Sequence, residues 1–410
     1  MKVCYLVSRF PSATQTFVYD EVSGQRAKGV DVRILSLFRP NAESDGLDVP
    51  SELKGRVFYV PRPSGILQRI RYTAQLLVHF VHVWLPIAAL IMNRGRPNFR
   101  LLSVLGAARI LHREMPDLDI LHCHFGPIGL HGAVLKHLGL TSAKLVATFH
   151  GVDASAYIRR NGPDCYALLF RHADLMLPVS RYFARRLETI GADPRKVQVH
   201  HMGVDCSTSF NKHCSRVSPD APLRIVSVGR LVRKKGHHIT LEALAIARRS
   251  GVREFLFELI GGGPEEERLQ AQAAKLELRV QFLGGMPHRQ VLDRMEAADL
   301  FVLASTASPS GDEEGIPVGL MEAMARGLPV VSTRHSGIPE LVEHGVSGLL
   351  AREGDAEELA GHIVTLLNGP DLRKQMGKQG RHIVESKFNR SLLAGDLHTH
   401  YSRLLDVRSA

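Results

Sequence analysis

The chain has 410 residues and a net charge of +11, with 44% hydrophobic and 23% charged residues. That length predicts two or three domains, and the composition is that of a soluble globular protein rather than a disordered chain. Five cysteines (Cys4, Cys123, Cys165, Cys206 and Cys214) lack Cys-x-x-Cys spacing, so reduced thiols of a cytosolic protein are expected instead of a disulfide scaffold.

The first residues read directly as a strand, so no secretory signal is expected. Predicted strands in the first half cover 3–7, 32–37, 120–122, 144–149, 175–178 and 197–200, with helices at 16–28, 126–138 and 181–190. The second half restarts the alternation. Strands fall at 223–228, 255–260, 280–283, 300–304 and 330–332, and helices at 236–249, 266–275 and 288–295. A last helix is expected from about 355 to 404, broken at Gly369-Pro370. Strands alternating with helices predict parallel sheets built of βαβ units. The polar, aperiodic stretch 203–222 reads as the linker between two doubly wound domains.

The charge is unevenly placed. Residues 53–113 contain no Asp or Glu and ten basic residues, among them Arg62, Arg69 and Arg71. Inside that stretch, 72–93 carries no formal charge and is rich in Leu, Val, Ile and aromatics. A membrane span needs ~20 apolar residues, yet Thr73, Gln75, His79, His82 and Pro86 argue against one here. A buried helix pair and a basic, apolar surface resting on an anionic bilayer remain as alternatives. The basic balance alone also suggests nucleic acid, but the segment has few interleaved aromatics and no recognition-helix signature.

Several turns carry candidate chemistry. Glu314 and Glu322 lie eight positions apart around Gly315-Ile316-Pro317-Val318-Gly319. Pro317 suits a helix start, Gly327 a helix stop, and the N–H groups near 315–319 suit a phosphate. Carboxylates beside an anion site repel the phosphate, so they are expected to accept hydrogen bonds from hydroxyls. Phosphates and hydroxyls together describe a sugar nucleotide. Arg230 and Lys235 sit at a βα junction, where cations reach a diphosphate. Arg233 and Lys234 beside them read as a solvated basic turn. His150, before a glycine at a strand end, reads either as a satisfied loop histidine or as a hydrogen-bonding group near a reacting sugar. His122-x-His124 has metal-like spacing, but no carboxylate follows at useful distance along the chain. Asp117-x-Asp119 precedes a strand and reads as surface.

Together these residues resemble the retaining glycosyltransferases of family 4. The likeness runs through Glu314 to Glu322, Ala323-Met324-Ala325, Gly327-x-Pro329-Val330-Val331, Gly337-Ile338-Pro339-Glu340 and the His150-Gly151-x-Asp153 element. It implies an α/β GT-B fold, two Rossmann-like doubly wound domains facing across a cleft. It implies an acceptor domain over 1–205 with the helix 390–410 packed back on it, and a donor domain over 206–389. By the same resemblance, Glu314 meets hydroxyls of the donor sugar and Glu322 the ribose. Arg230 and Lys235 grip the diphosphate, Gly284, Gly285 and Met286 meet the base, and Gly315, Ile316, Pro317 and Val318 line the donor. His150, Glu314, Arg230 and Lys235 are the implied catalytic group. No metal and no cofactor are expected, the nucleotide-sugar being a substrate.

A narrower likeness points to the exopolysaccharide and colanic-acid branch, through 10–17, His122-x-His124-Phe125-Gly126 and Gly311-Asp312-x-Glu314. It implies an acceptor side at Thr14, Gln15, Thr16 and His124, where a neutral Gln15 stands in place of that branch's usual glutamate. The expected activity is sugar transfer from a nucleotide diphosphate, UDP by default, to a lipid-linked or oligosaccharide acceptor. The expected place is the cytoplasm, at the inner face of the plasma membrane if residues 53–113 dock there. A sugar-nucleotide 2-epimerase of the same fold is the alternative.

Overall fold

The computed structural model describes residues 1–12, 15–40, 48–84, 86–87, 101–207, 221–252 and 254–406. The chain divides into two compact units. One comprises Met1–Val179, Ala184–His200 and Ala394–Ala410, the other Ser180–Phe183 and His201–Leu393.

The first unit is built on strands β1 (Lys2–Arg9), β2 (Asp31–Phe38), β3 (Val57–Tyr59), β4 (Ile120–His124), β5 (Lys144–Phe149) and β6 (Leu175–Pro178). They form a six-stranded sheet in the order β3-β2-β1-β4-β5-β6. Every pairing is parallel, with Val3 opposite both Val32 and Ile120. The strand order therefore reverses between β1 and β4, the place where doubly wound sheets open toward a ligand at their C-terminal edge. Val3, Tyr5, Val32, Ile34, Ile120 and Val146 form one core, to which the chain's last helix (Arg390–Asp406) adds Leu397 and Tyr401. Gln25 Nε2 donates to the Ala394 carbonyl at 2.8 Å, tying that helix to the one at Thr16–Ala27.

The second unit repeats the plan with β7 (Leu223–Val228), β8 (Phe255–Ile260), β9 (Val280–Gly284), β10 (Leu300–Val302), β11 (Val330–Thr333) and β12 (Gly348–Ala351). Its order is β12-β11-β10-β7-β8-β9, again all parallel. Alternate residues serve opposite faces. Leu223, Ile225, Leu300, Val302 and Val331 pack on one side, and Val226, Phe301, Leu303 and Val330 on the other. A sheet covered on both faces favours apolar residues on both sides of its strands, which explains the apolar-rich runs in the sequence.

Some elements depart from expectation. Residues 197–200 form no strand; Val197 makes an isolated bridge to Met176, and His200 N–H donates to the Pro178 carbonyl. Two short edge strands, β3 and β12, were not anticipated. The terminal helical region comes as three helices, Ala356–Asn368, Pro370–Lys387 and Arg390–Asp406, so a second break follows Lys387. Much of the predicted linker, 208–220, lies outside the described residues.

In the basic segment, the helix Leu101–Glu114 is largely buried, whereas the helix Ile66–His79 turns apolar side chains to solvent. Ile66, Leu67 and Val78 are 76%, 81% and 77% exposed. The uncharged stretch is thus not one helix: Ile66–His79 stops at Phe80 and a short 3-10 turn follows at Val81–Val83. Residues 85 and 88–100 lie outside the description, and no described helix is long and apolar enough to cross a membrane.

Candidate functional site

In the second unit the loops after β7, β8, β9 and β10 converge. After β7 the chain runs Gly229-Arg230, closes a 3-10 turn at Arg233–Lys235 and enters the helix His237–Arg249 through Gly236. Gly236 has φ of +64°, and a Cβ there would lie 1.7 Å from the Ala304 carbonyl oxygen. Only glycine lets β7's loop close against the end of β10. Gly261, φ +133°, plays the same part after β8, where a Cβ would lie 2.0 Å from the Gly229 carbonyl oxygen.

This closure aims two lysines at one carboxylate. Lys235 Nζ is 3.1 Å from Glu314 Oε2, and Lys234 Nζ is 3.5 Å from Glu314 Oε1 and 3.1 Å from Asp312 Oδ2. Burial by itself pushes the Glu314 carboxyl up, but the Lys235 and Lys234 charges outweigh it and hold the group below its ordinary value. Burial likewise pulls the Lys234 ammonium down, and Glu314 and Asp312 raise it above its ordinary value. Glu314 is therefore an ionised acceptor at neutral pH. Its backbone is pinned as well. Glu314 N–H donates to His335 Nε2 at 3.2 Å, and Ser336 Oγ donates to the Glu314 carbonyl at 2.6 Å. A lone pair on His335 Nε2 places that ring's proton on Nδ1, which donates to Glu353 Oε2 at 2.8 Å.

Glu322 lies on the helix Val318–Ala325, where its Oε1 is 2.6 Å from His288 Nε2. At the start of that helix, Leu320 and Met321 donate to the Pro317 carbonyl. Among the described residues the N–H groups of Val318 and Gly319 have no acceptor in the chain, as at any open helix start. Gly315, Ile316 and Pro317 are buried in the preceding loop, and Val318 is exposed. Arg230 is exposed and makes no ion pair among the described residues. Gly284 closes β9 with φ of +63°, its carbonyl accepting from Gly261 N–H at 2.8 Å. Gly285 beside it is exposed, and Met286 packs against the core.

The first unit carries a second constellation at the C-terminal end of its sheet. His150 Nε2 is 3.0 Å from His124 Nδ1, and the His150 ring lies between Phe17 and Phe125, each at 4.5 Å. Burial, then the charge of His124, pushes His150 well below the usual histidine value, so it is neutral. Asp153 shapes the loop, its carboxylate accepting from the backbone N–H groups of His150, Gly151 and Gly126 at 3.0, 2.8 and 2.9 Å. His122 and His124 point from β4 to Glu21 on the helix Thr16–Ala27, at 3.3 and 3.4 Å. Among the proposed acceptor-side residues, Gln15 caps that helix with a buried, unpartnered Oε1, Thr16 is exposed, and Thr14 lies outside the described residues.

Residues 14–208 match the family model for Glycosyltransferase Family 4, and residues 210–383 that for Glycosyl transferases group 1. The colanic acid biosynthesis glycosyltransferase WcaL of Escherichia coli is 35% identical over 407 residues, 97% of this chain and 98% of that one. The chain belongs to glycosyltransferase family 4. The amylovoran biosynthesis glycosyltransferase AmsK of Erwinia amylovora, 33% identical over 99% of both chains, stands with it. Among solved structures, Anabaena HepE in complex with UDP and glucose superposes with a TM-score of 0.71 at 20% identity, covering 98% of this chain and 99% of that one. Sucrose-phosphate synthase from Thermosynechococcus elongatus gives 0.74 at 16% identity, over 99% of this chain and 100% of that one. These likenesses show the fold, two Rossmann-like units of GT-B class, as the sequence resemblance implied.

Lys235 and Glu314 are paired and Glu322 lies on the helix that follows, while two other positions of this glycosyltransferase differ from the sequence expectation. Lys234 is no solvated turn residue: its side chain is 22% exposed and pairs with two acids. The carboxylate missing from the His-x-His pattern does exist, supplied by Glu21 from a helix far upstream. Asp312 entered only through the branch likeness, and His288 and His335 were not singled out; for His335 the one signal was its place just before Ser336-Gly337.

Proposed function

We propose that the second unit binds a nucleoside-diphosphate sugar, UDP-linked by default, and that the enzyme passes the sugar on with its anomeric configuration retained. The observation that carries this is the Lys235–Glu314 pair, 3.1 Å apart beside the open start of the helix Val318–Ala325. It sets a cation for the diphosphate next to an ionised acceptor for sugar hydroxyls. Arg230, Lys235 and the N–H groups of Val318 and Gly319 stabilise the charge that grows on the departing diphosphate. That work is electrostatic and requires no metal or cofactor in the second unit. Glu314, ionised between two lysines, reads hydroxyls instead of donating a proton. Glu322, oriented by His288, accepts from the ribose, and the turn Gly284-Gly285-Met286 meets the base. HepE, of the same fold, was solved with UDP and with UDP-glucose, which supports the choice of nucleotide.

The acceptor we propose is lipid-linked or an oligosaccharide, in exopolysaccharide synthesis, in line with the colanic acid and amylovoran relatives WcaL and AmsK; we further propose that the enzyme rests on the inner face of the membrane. In the first unit, Val60, Arg62, Arg69, Tyr72 and Leu102 line a hollow of about 540 Å³ beside the exposed Ile66, Leu67 and Ile70. Each such side chain inserted into a bilayer contributes about 1.5–3 kcal/mol, and each nearby arginine about 1 kcal/mol on an anionic surface.

The test is incubation with UDP-, GDP- and ADP-sugars and a lipid-linked acceptor, with the product anomer read by NMR. Retention with one donor class is expected; inversion, or turnover of the donor without acceptor to an epimer, contradicts the proposal. Sedimentation with anionic vesicles, weakening in high salt and lost in Ile66→Ser/Leu67→Ser, is expected; no binding at low salt contradicts the membrane part.

A further inference from the structure

We propose that Glu21, His122 and His124 form a binding site for one zinc-type divalent ion in the first unit. The three ligand atoms lie within 4.8 Å of one another, the one such group of His, Cys, Asp or Glu among the described residues. Both rings are fully buried, and the Glu21 side chain is 16% exposed.

The two separations from the carboxylate suit a tetrahedral ion. Zinc sits ~2.0–2.2 Å from histidine nitrogen and carboxylate oxygen, so two tetrahedral ligands stand roughly 3.3–3.4 Å apart. Glu21 Oε1 is 3.3 Å from His122 Nδ1 and 3.4 Å from His124 Nε2. Those separations exceed a good hydrogen bond, and both Glu21 Oε1 and His124 Nε2 are buried polar atoms without a hydrogen-bond partner. Two orphaned ligand atoms aimed at one point are what a bound cation resolves. Two imidazoles and one carboxylate form a donor set that suits zinc and leaves a fourth position open.

The surrounding bonds are those of metal-ligating histidines, whose other nitrogen is normally held by a neighbour. His122 Nε2 is 2.7 Å from Thr148 Oγ1, and His124 Nδ1 is 3.0 Å from His150 Nε2. The Tyr401 hydroxyl, 2.6 Å from His122 Nδ1, shares the lone pair the ion would take. It has a second partner to turn to, the Tyr5 hydroxyl at 3.0 Å. The ion would also fix a proton. With Nε2 of His124 on the metal, its Nδ1–H donates to His150 Nε2, and His150 carries its own proton on Nδ1, now buried and unpartnered. His150 then becomes a hydrogen-bond donor. Neither ion binding nor this tautomer depends on the donor-site proposal above.

Full-length protein, stripped with chelator and dialysed against Zn²⁺, should retain one ion per chain by mass spectrometry. Glu21→Gln and His124→Gln should fall to background, with metal-free melting and circular dichroism unchanged. Thr148→Val, which frees the His122 ring, should weaken affinity about 10–100-fold. No stoichiometric zinc in the wild type, or equal zinc in the wild type and both ligand variants, overturns the proposal. If the variants fail to fold, Co²⁺ in the wild type decides: intense visible bands of a four-coordinate site support it, and weak octahedral bands overturn it. None of these readouts depends on sugar transfer.

Discussion

Lys235→Met tests the pairing at the centre of the donor site. Lys235 Nζ stands 3.1 Å from Glu314 Oε2, so the gross attraction is about 5 kcal/mol at an effective dielectric near 20. Desolvation offsets much of this, and Lys234 at 3.5 Å keeps part of the carboxylate's charge balanced. Removing Lys235 is therefore expected to cost about 1–3 kcal/mol of stability, the range for a buried acceptor left short of a partner. Activity should fall further. Loss of one preorganised contact to the growing charge costs ~2.7–4 kcal/mol in the barrier, a drop of about 10²–10³-fold in kcat. The assay pairs denaturant melts with donor turnover for Lys235→Met, Glu314→Gln and the double variant. A stability coupling of about 1–3 kcal/mol between the two single changes is expected. Coupling indistinguishable from zero, together with near wild-type turnover by a folded Lys235→Met enzyme, would mean that Lys235 neither balances Glu314 nor serves the diphosphate.

The buried His237, held at about 3 by burial and then by the Lys235 charge, gives a pH dependence of definite sign. Its unfolded value is near 6.5, so the folded protein binds fewer protons between those limits and loses stability as pH falls from 6.5 toward 3. His237→Gln should flatten this acid arm in urea melts, and an unchanged slope would contradict it. Leu397→Ala, at a fully buried position where the last helix joins the first unit's core, should cost about 2–5 kcal/mol. Denaturation should show the loss in the first unit's transition, and a cost under about 1 kcal/mol would mean the helix is not held there.

Strands such as Leu223–Val228 and Phe255–Ile260 were legible in the sequence because apolar residues dominate both of their faces, with Arg224 and Glu258 the charged exceptions. Short edge strands were not. Val57–Tyr59 has three residues inside a basic stretch, and Gly348–Ala351 begins on a glycine, so neither presents a period long enough to read. In the site, Glu314 and Glu322 stood out because their spacing lies along one loop and helix. Lys234 did not, since a run of arginine and lysine on a turn looks solvated until Asp312 and Glu314 arrive from a distant loop. Glu21 escaped for the same reason: spacing along the chain says nothing about a carboxylate that the parallel order of β1 and β4 brings beside His122 and His124.

In the proposed donor site the second unit grips a nucleoside-diphosphate sugar through Arg230, Lys235, Glu314 and Glu322. Thermal shift against UDP-, GDP- and ADP-sugars, in the wild type and in Lys235→Met and Glu322→Gln, tests it most directly. Ligand at 100 times its Kd stabilises the native state by about 2.7 kcal/mol, enough for a clear rise in melting temperature. The account predicts a rise with one nucleotide class in the wild type and its loss in both variants. No rise with any donor, or an equal rise in all three proteins, would contradict it.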